Sequence, residues 1–322
     1  MMAEDGKDSP DAAVRSGLTV LVPVRDQVGL VSAAVEDLVA VMLQSDDLLI
    51  IDDGSSDGTV KVLGALEERH PQVRFLSTKG LGLVEALTLG IKEATHPWIA
   101  RADADDRYPA NRLSAQRGAI APGLAAITGD YQVTGPSQGG TIPCALGVPF
   151  TAISLVHPQR FPHPGVMFHR DAVLEAGGYR KEDYPAEDLG LWTRLAHVGD
   201  FVGVPEVVVD WRMNPTSITH SNQVAQRAKT AELLADFRLP QASKVTADDV
   251  EVELQRYVGT DHAQERSVLL ARDLWTARRL GVPASAIRPV LAHLGLRPGS
   301  SIRALRGLAQ DARSRQQYRE SM

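Results

Sequence analysis

Three aspartates lie within four residues of the chain: Asp103, Asp105 and Asp106. Carboxylates this close repel one another unless a cation or an arginine lies among them. On an extended segment, side chains two positions apart point to the same side, so Asp103 and Asp105 can face one ligand. Oxygen donors of this kind suit Mg²⁺ or Mn²⁺, which complete their shells with water and phosphate oxygens. The alternative is a solvated acidic loop neutralised by Arg101 and Arg107.

A second acidic pair, Asp52 and Asp53, follows the apolar run 48–51 and precedes Gly54. Aspartate and glycine are common in turns after strands, so this pair alone indicates only a turn. Its interest depends on whether the fold places it beside the first cluster.

A third pair, Glu187 and Asp188, precedes the apolar helical pattern 189–196. Acidic side chains favour the positive N-terminal end of a helix, and this simple interpretation is the one that the residues by themselves favour. A carboxylate held at a helix start is also available as a general base.

Three histidines, His157, His163 and His169, are spaced by six residues, which raises the possibility of a metal site. Pro158 and Pro164 follow two of them, and no acid or cysteine has a suitable spacing. We therefore interpret them as loop or site-lining residues rather than zinc ligands.

The first hundred residues alternate between apolar β-branched runs and segments with helical spacing. Strands are predicted at 18–24, 48–51, 73–76 and 97–102, and helices at 28–43, 55–69 and 82–94. Such alternation predicts an α/β fold in which a mostly parallel sheet carries helices on both faces. Ligands bind at the carboxyl ends of such strands, so the two aspartate clusters are predicted to meet at one edge.

Beyond residue 106 the pattern is mixed. Helices are predicted at 107–119, 171–176 and 187–197, and strands at 124–133 and 166–169, with a strand pair or bend at 201–210. The predicted domains are a flexible leader (1–16), an α/β domain (17–220, divided into 17–106 and 107–220) and a helical C-terminal appendage (221–322).

Charge is distributed unevenly along the chain. The net charge of −6 disfavours nucleic-acid partners, which require basic surfaces. Residues 273–322, however, contain nine arginines and three acids, a net of +6 that leaves −12 for residues 1–272. The segment around Arg303 and Arg306 is predicted to form a basic amphipathic helix. This helix could lie on anionic lipid as a peripheral membrane contact, or it could bind an acidic protein surface, which we favour slightly.

A single cysteine, Cys144, excludes an internal disulfide and a multi-cysteine zinc site. The acidic N-terminus lacks the features of a signal peptide, and the longest apolar stretch, 144–156, is shorter than the ~20 residues of a membrane span. The expected location is cytoplasmic, with any membrane association at the inner face. A homo-oligomer is left open.

Seven blocks of residues, in order over about 18–219, resemble the family-2 glycosyltransferases, inverting enzymes of the GT-A fold that use nucleotide-diphosphate sugars. The blocks are TVLVPVRDQ (19–27), LLIIDDGSSDGT (48–59), GLGLVEALTLGIKEA (80–94), WIARADADDRYPANRL (98–113), HPGVMFHRDAVLEAGGY (163–179), YPAEDLGLWTRLA (184–196) and WRMNPTSIT (211–219).

The resemblance implies a role for each matching position. Asp188 is implied as the catalytic base, with Glu187, His163 and Trp192 supporting the acceptor side. Asp103, Ala104 and Asp105 match the DXD motif, in which Asp105 and Asp103 would hold Mn²⁺ or Mg²⁺. The implied nucleotide-sugar contacts are Pro23, Val24, Arg25, Asp52, Asp53 and Lys79.

The resemblance also implies partners: a nucleotide-diphosphate sugar, with UDP expected before GDP or dTDP, and a glycan, lipid-linked or small-molecule acceptor in polysaccharide biosynthesis. One departure is Asn214, where many members have histidine, so a contact with the diphosphate would be made by a neutral amide.

Three other classes of protein fit the sequence less well. A nucleotidyltransferase would have a glycine-rich basic segment after the first strand, where this chain reads PVRDQVG. A phosphatase of the HAD type would carry its Asp-x-Asp on the first strand rather than the fourth. A catalytically silent sugar-nucleotide-binding or scaffold subunit has no chemical reason to keep Asp53, Asp103, Asp105 and Asp188 together.

Overall fold

The structure, a computed structural model, describes residues 17–134, 140–142, 161–212 and 223–236. The chain divides into two compact units, and the described residues all belong to the first, which comprises residues 1–150 and 158–236. The predicted leader, His157, Asn214 and the basic C-terminal segment lie outside the described residues.

The first half of the described chain alternates strictly between strand and helix. Its elements are β1 (Thr19–Val24), α1 (Val31–Val39), β2 (Asp47–Asp52), α2 (Thr59–Arg69), β3 (Val73–Ser77), α3 (Leu83–Glu93) and β4 (Trp98–Arg101). The four strands are parallel and lie in the order β3-β2-β1-β4. Every residue of β1 and β4 is buried, as expected for strands covered on both faces.

The second half extends the same sheet with strands of mixed direction. Its elements are α4 (Arg112–Gly118), β5 (Leu124–Thr134), β6 (Gly140–Ile142), β7 (Met167–His169), α5 (Arg170–Glu175), α6 (Glu187–Leu195), β8 (Asp200–Arg212) and α7 (Gln223–Asp236). Strand β7 pairs antiparallel with β4 and β5, β6 pairs antiparallel with β5, and β8 runs parallel to β5. The described residues thus form one sheet of eight strands, and the predicted α/β fold class is confirmed.

Several predicted elements differ from the structure. Helix α1 spans only Val31–Val39, α2 begins at Thr59 rather than 55, and α4 begins at Arg112 rather than 107. The reason for the last of these differences is tertiary, because the backbone of Arg107 pairs with that of Asp210 in an antiparallel bridge. Around Pro205, β8 is one strand with register shifts against β5. Proline cannot donate to a ladder, so the strand bulges there instead of ending.

Helix α3 packs closely on the sheet. Side chains of β1 alternate between its two faces, and Leu21 contacts α3 at Gly90, where an added Cβ would collide with the leucine methyl groups. Helix α4 is held beside the start of β2 by a buried ion pair between Arg117 Nη2 and Asp46 Oδ1, at 2.7 Å. Among the described residues, no helix is both long enough and apolar enough to cross a bilayer.

Candidate active site

The carboxyl ends of β1, β2 and β4 define one edge of the sheet. Strand β1 lies between the other two, and Asp53 N donates to Val24 O at 2.8 Å while Ala102 N donates to Leu21 O at 2.9 Å. Strands are about 4.8 Å apart, so β2 and β4 are separated by roughly 10 Å. The segments that follow them, with the two aspartate clusters, therefore share the same edge.

Asp52 and Asp53 are both buried and both hold backbone loops. Asp52 accepts hydrogen bonds from the N–H groups of Gly54 and Ser55, each at 3.2 Å, and so closes the turn after β2. Asp53 Oδ1 accepts from Thr78 Oγ1 at 2.5 Å and from Gly82 N at 2.9 Å. The Asp53 carboxylate therefore fixes the loop that follows β3.

That loop, 78–82, has an unusual backbone. Lys79, Gly80 and Gly82 all have positive φ angles, of 59°, 85° and 99°. Gly54 also has a positive φ of 75°, and a Cβ placed on it would lie 2.7 Å from Gly80 N. The two turns therefore pack backbone against backbone, a close approach that only glycine permits. The side chain of Lys79 is exposed at this edge.

The first-strand residues Pro23 and Val24 are buried within β1. Arg25 follows directly, with 57% of its side chain exposed, and its Nη1 lies 3.5 Å from Asp53 Oδ2. Of these three residues, Arg25 is the one whose side chain is exposed at the sheet edge.

The turn after β4 brings three carboxylates together. Asp103, Asp105 and Asp106 each offer an oxygen, and these atoms all lie within 4.8 Å of one another. Arg101 is only 3% exposed, and its Nη1 donates to Asp103 Oδ2 at 2.6 Å. Arg107, the other expected counter-charge, instead forms an ion pair with Asp37 of α1. Of the two arginines expected to neutralise the cluster, Arg101 therefore pairs with it and Arg107 does not.

Two carboxyl groups of this turn, those of Asp105 and Asp106, hold their protons more strongly than isolated aspartates do. Burial, together with the charge of Asp103, raises the pKa of Asp106 to about 8. The same two causes raise the pKa of Asp105. Asp106 Oδ1 accepts from Arg212 N at 2.9 Å, whereas its buried Oδ2 has no hydrogen-bond partner among the described residues. Clustered, incompletely neutralised oxygens fit a hard divalent cation.

Glu187 and Asp188 begin α6, and Asp188 Oδ1 accepts from Leu189 N at 2.7 Å. Burial, and then the charge of Asp188, raises the pKa of Glu187 to about 7, and burial also raises the pKa of Asp188. The charges of Arg101 and Asp103 affect the pKa of both residues. The third pair therefore lies within electrostatic range of Arg101 and Asp103.

The sequence comparison agrees with this geometry. Residues 19–142 match the model of glycosyl transferase family 2. The chain therefore carries a family 2 glycosyltransferase domain. The expectation that it is a glycosyltransferase is confirmed.

Two curated relatives of this glycosyltransferase support the same conclusion. A UDP-Gal:alpha-D-GlcNAc-diphosphoundecaprenol beta-1,3-galactosyltransferase of Escherichia coli is 22% identical over 254 residues, which cover 76% of this chain and 90% of the relative. The amylovoran biosynthesis glycosyltransferase AmsE of Erwinia amylovora is 27% identical over 179 residues, which cover 53% of this chain and 65% of the relative.

Solved structures show that the glycosyltransferase has the expected GT-A fold. The mannosyltransferase PcManGT from Pyrobaculum calidifontis, in complex with GDP-Man and Mn²⁺, superposes with a TM-score of 0.55 at 18% identity, covering 92% of this chain and 79% of that one. Staphylococcus aureus TarS 1-349, in complex with UDP-GlcNAc, gives 0.55 at 11% identity, with coverage of 89% and 81%.

Other predicted site residues of the glycosyltransferase lie deeper. His163 is buried, its Nε2 lies 2.7 Å from Tyr179 Oη, and burial together with the charge of Arg101 holds the pKa of His163 well below its usual value. Trp192 is 2% exposed and packs against the rings of His163, Phe161, Phe168 and Phe201. His169 packs edge-on against Trp98, and within the described residues no histidine belongs to a three-ligand group. Ala104, the middle residue of the DXD turn, is buried.

Sequence reasoning missed several residues of this glycosyltransferase site. Tyr108, Arg112 and Gln116 lie beneath the DXD turn, and Thr78 holds Asp53. The i, i+4, i+8 spacing of the first three was visible in the sequence, but polar residues at that spacing usually mark an exposed helix face.

Proposed function

We propose that the chain is a metal-dependent, inverting glycosyltransferase that moves a sugar from a nucleotide-diphosphate donor to a hydroxyl group of a glycan or lipid-linked acceptor. The family domain and its relatives support glycosyl transfer from a nucleotide sugar. The E. coli relative acts, by its name, on a UDP-sugar and a diphosphoundecaprenol-linked sugar. We therefore expect UDP before GDP or dTDP as the nucleotide, and a lipid-linked glycan as the first acceptor to test.

One observation carries the proposal: the charge of Arg101 acts on both acidic groups of the site. Its guanidinium donates to Asp103 at 2.6 Å, and its charge stabilises the ionised forms of Glu187 and Asp188. A donor-binding cluster and a candidate base near one buried cation are what a displacement at a sugar carbon requires, because both partners must reach the same atom.

Asp105 and Asp103 are the residues that would hold the divalent cation, Mn²⁺ or Mg²⁺. When bound, such a cation neutralises charge on the leaving diphosphate as a Lewis acid. Arg101 occupies Oδ2 of Asp103. Asp106, whose Oδ1 accepts from the backbone of Arg212, would anchor the turn.

Asp188 is the proposed general base, with Glu187 beside it. An acceptor hydroxyl is a weak acid, so it needs a proton acceptor as it attacks the sugar carbon. Burial raises the pKa of Asp188, which strengthens it as a proton acceptor relative to an exposed aspartate. Attack from the side opposite the diphosphate inverts the anomeric carbon.

The nucleotide is proposed to bind over the turn after β2 and loop 78–82, which pack against each other. Asp53 fixes that loop, while Arg25 and Lys79 are the cations with exposed side chains there. Both are suited to the anionic donor, and the buried Pro23 and Val24 would form the floor.

The proposal is tested with the full-length protein, Mn²⁺ and a panel of UDP-, GDP- and dTDP-sugars, first by thermal shift and then by transfer assays with lipid-linked acceptors. Wild type is expected to bind a donor and transfer its sugar. Asp188→Asn is expected to abolish transfer while nucleotide binding persists, and Asp171→Asn, an exposed acid on α5, serves as the control.

Normal transfer by Asp188→Asn would show that the base is another residue. Donor binding by wild type with neither transfer nor slow donor hydrolysis would instead indicate the silent subunit.

A further inference from the structure

Beneath the DXD turn, three buried polar side chains form a connected column: Tyr108, Arg112 and Gln116. Their exposed fractions are 5%, 0% and 0%. Burying polar groups is costly unless they are hydrogen-bonded, so a fully buried arginine at this place needs an explanation.

The upper end of the column holds the backbone of the turn. The Tyr108 hydroxyl accepts from Asp103 N at 2.5 Å and donates to Asp103 O at 2.9 Å. One hydroxyl thus bonds both main-chain groups of a single aspartate, which fixes the direction in which that aspartate leaves β4.

The middle and lower parts hold the tyrosine in place. The guanidinium carbon of Arg112 lies 4.6 Å from the centre of the Tyr108 ring, and Nη2 donates to the carbonyl of Arg101. Arg112 Nε donates to Gln116 Oε1 at 3.3 Å. Gln116 Nε2 donates to the carbonyls of Ile127 in β5, at 3.1 Å, and of Gly165, at 2.8 Å.

We propose that Tyr108, Arg112 and Gln116 are positioning residues that hold the DXD turn in the geometry needed to bind the cation and the diphosphate. The column connects β5 and the turn before β7 to the backbone of Arg101 and Asp103. Its function is to keep clustered carboxylates close together although they repel one another. This inference rests on the proposed function, because it concerns the same carboxylates.

The decisive variant is Tyr108→Phe, which keeps the ring under Arg112 and removes only the hydroxyl. Thr19→Val is a matched control, since the Thr19 hydroxyl is also buried, accepts from Thr95 N and His96 N, and donates to Asp47, but at the opposite edge of the sheet. Calorimetric titration of Mn²⁺ with UDP, and in parallel with GDP and dTDP, measures binding without catalysis.

We expect Tyr108→Phe to weaken Mn²⁺–nucleotide binding about 10-fold or more, the usual range for residues that orient metal ligands, while Thr19→Val binds as wild type does. Raising the Mn²⁺ concentration should restore kcat in Tyr108→Phe, because the carboxylates themselves remain. Arg112→Lys, which keeps the charge but not the forked geometry, should also weaken binding.

Wild-type affinity in Tyr108→Phe would overturn the proposal, as would equal weakening in Thr19→Val, which would show a general loss of stability. Undiminished binding in Arg112→Lys would remove Arg112 from the column. If wild type itself binds no Mn²⁺ with any of the three nucleotides, the proposed function fails first, and the positioning role fails with it.

Discussion

Nη1 of Arg101 donates a hydrogen bond of 2.6 Å to Oδ2 of Asp103, two residues further along the chain. The arginine is the last residue of β4 and is almost fully buried. A buried cation at this position offsets part of the repulsion among the carboxylates of the DXD turn and of the Glu187–Asp188 pair.

Replacing Arg101 with methionine should raise the pKa of Glu187 and of Asp188, because the cation favours the ionised carboxylates. An opposite charge within about 4–6 Å lowers the pKa of a carboxyl group by about 1–3 units, and its loss reverses that shift. The acid limb of the kcat/KM–pH profile should therefore move to higher pH by about one unit or more. Arg101→Lys keeps the charge and should move it less, and identical limbs in all three proteins would contradict the electrostatic role.

The apo protein should lose stability as pH rises toward 8. Burial and Asp103 raise the pKa of Asp106 to about 8, so the folded state binds a proton there that the unfolded chain releases near pH 4. The contribution of Asp106 to the free energy of unfolding is fully present below about pH 4 and decreases progressively up to about pH 8. Asp106→Asn should raise the melting temperature at pH 8 by a few degrees, equivalent to ~1 kcal/mol, and change it little at pH 4.

This prediction is checked by differential scanning calorimetry in metal-free buffer at both pH values. Asp171→Asn, which removes an exposed acid, is the matched control. A larger gain at pH 4 than at pH 8 would contradict the sign of the pKa shift.

Gly54→Ala should weaken nucleotide binding and destabilise the fold by about 1–3 kcal/mol, since its φ of 75° and its approach to Gly80 do not tolerate a Cβ. Gly64→Ala is the natural contrast. It lies within α2 with no heavy atom near an added Cβ, so the change should stabilise by about 0.5–1 kcal/mol. Urea unfolding measures both, and a gain in stability for Gly54→Ala would contradict the packing described.

Arg117→Met should destabilise the protein by about 3–5 kcal/mol, because it leaves the buried carboxylate of Asp46 without its cation. Arg69→Met removes an exposed pair with Glu36, at 2.9 Å, and should cost less than about 1 kcal/mol. Chemical denaturation distinguishes the two, and equal effects would show that burial does not govern the Asp46 pair.

The sequence by itself determined the succession of strands and helices along the first hundred residues. It also determined the edge of the sheet at which the aspartates lie. Strands buried on both faces appear as continuous apolar runs such as 18–24, and helices between them appear as a 3.6-residue period. Because the carboxyl ends of parallel strands lie at the same edge of a sheet, the segments that follow β2 and β4 must lie at that edge too. The expectation that Asp188 acts at this edge came from the family resemblance, not from the spacing of residues in the sequence.

Only the tertiary structure decided which polar groups meet. Arg107 pairs with Asp37, seventy residues away, rather than with the neighbouring aspartates. Asp53 accepts a hydrogen bond from Thr78, which follows the neighbouring strand β3. Arg112 is fully buried although arginine is usually found at the protein surface. Partner choice depends on which side chains the packed sheet brings within about 3 Å, and local periodicity carries no information about that distance.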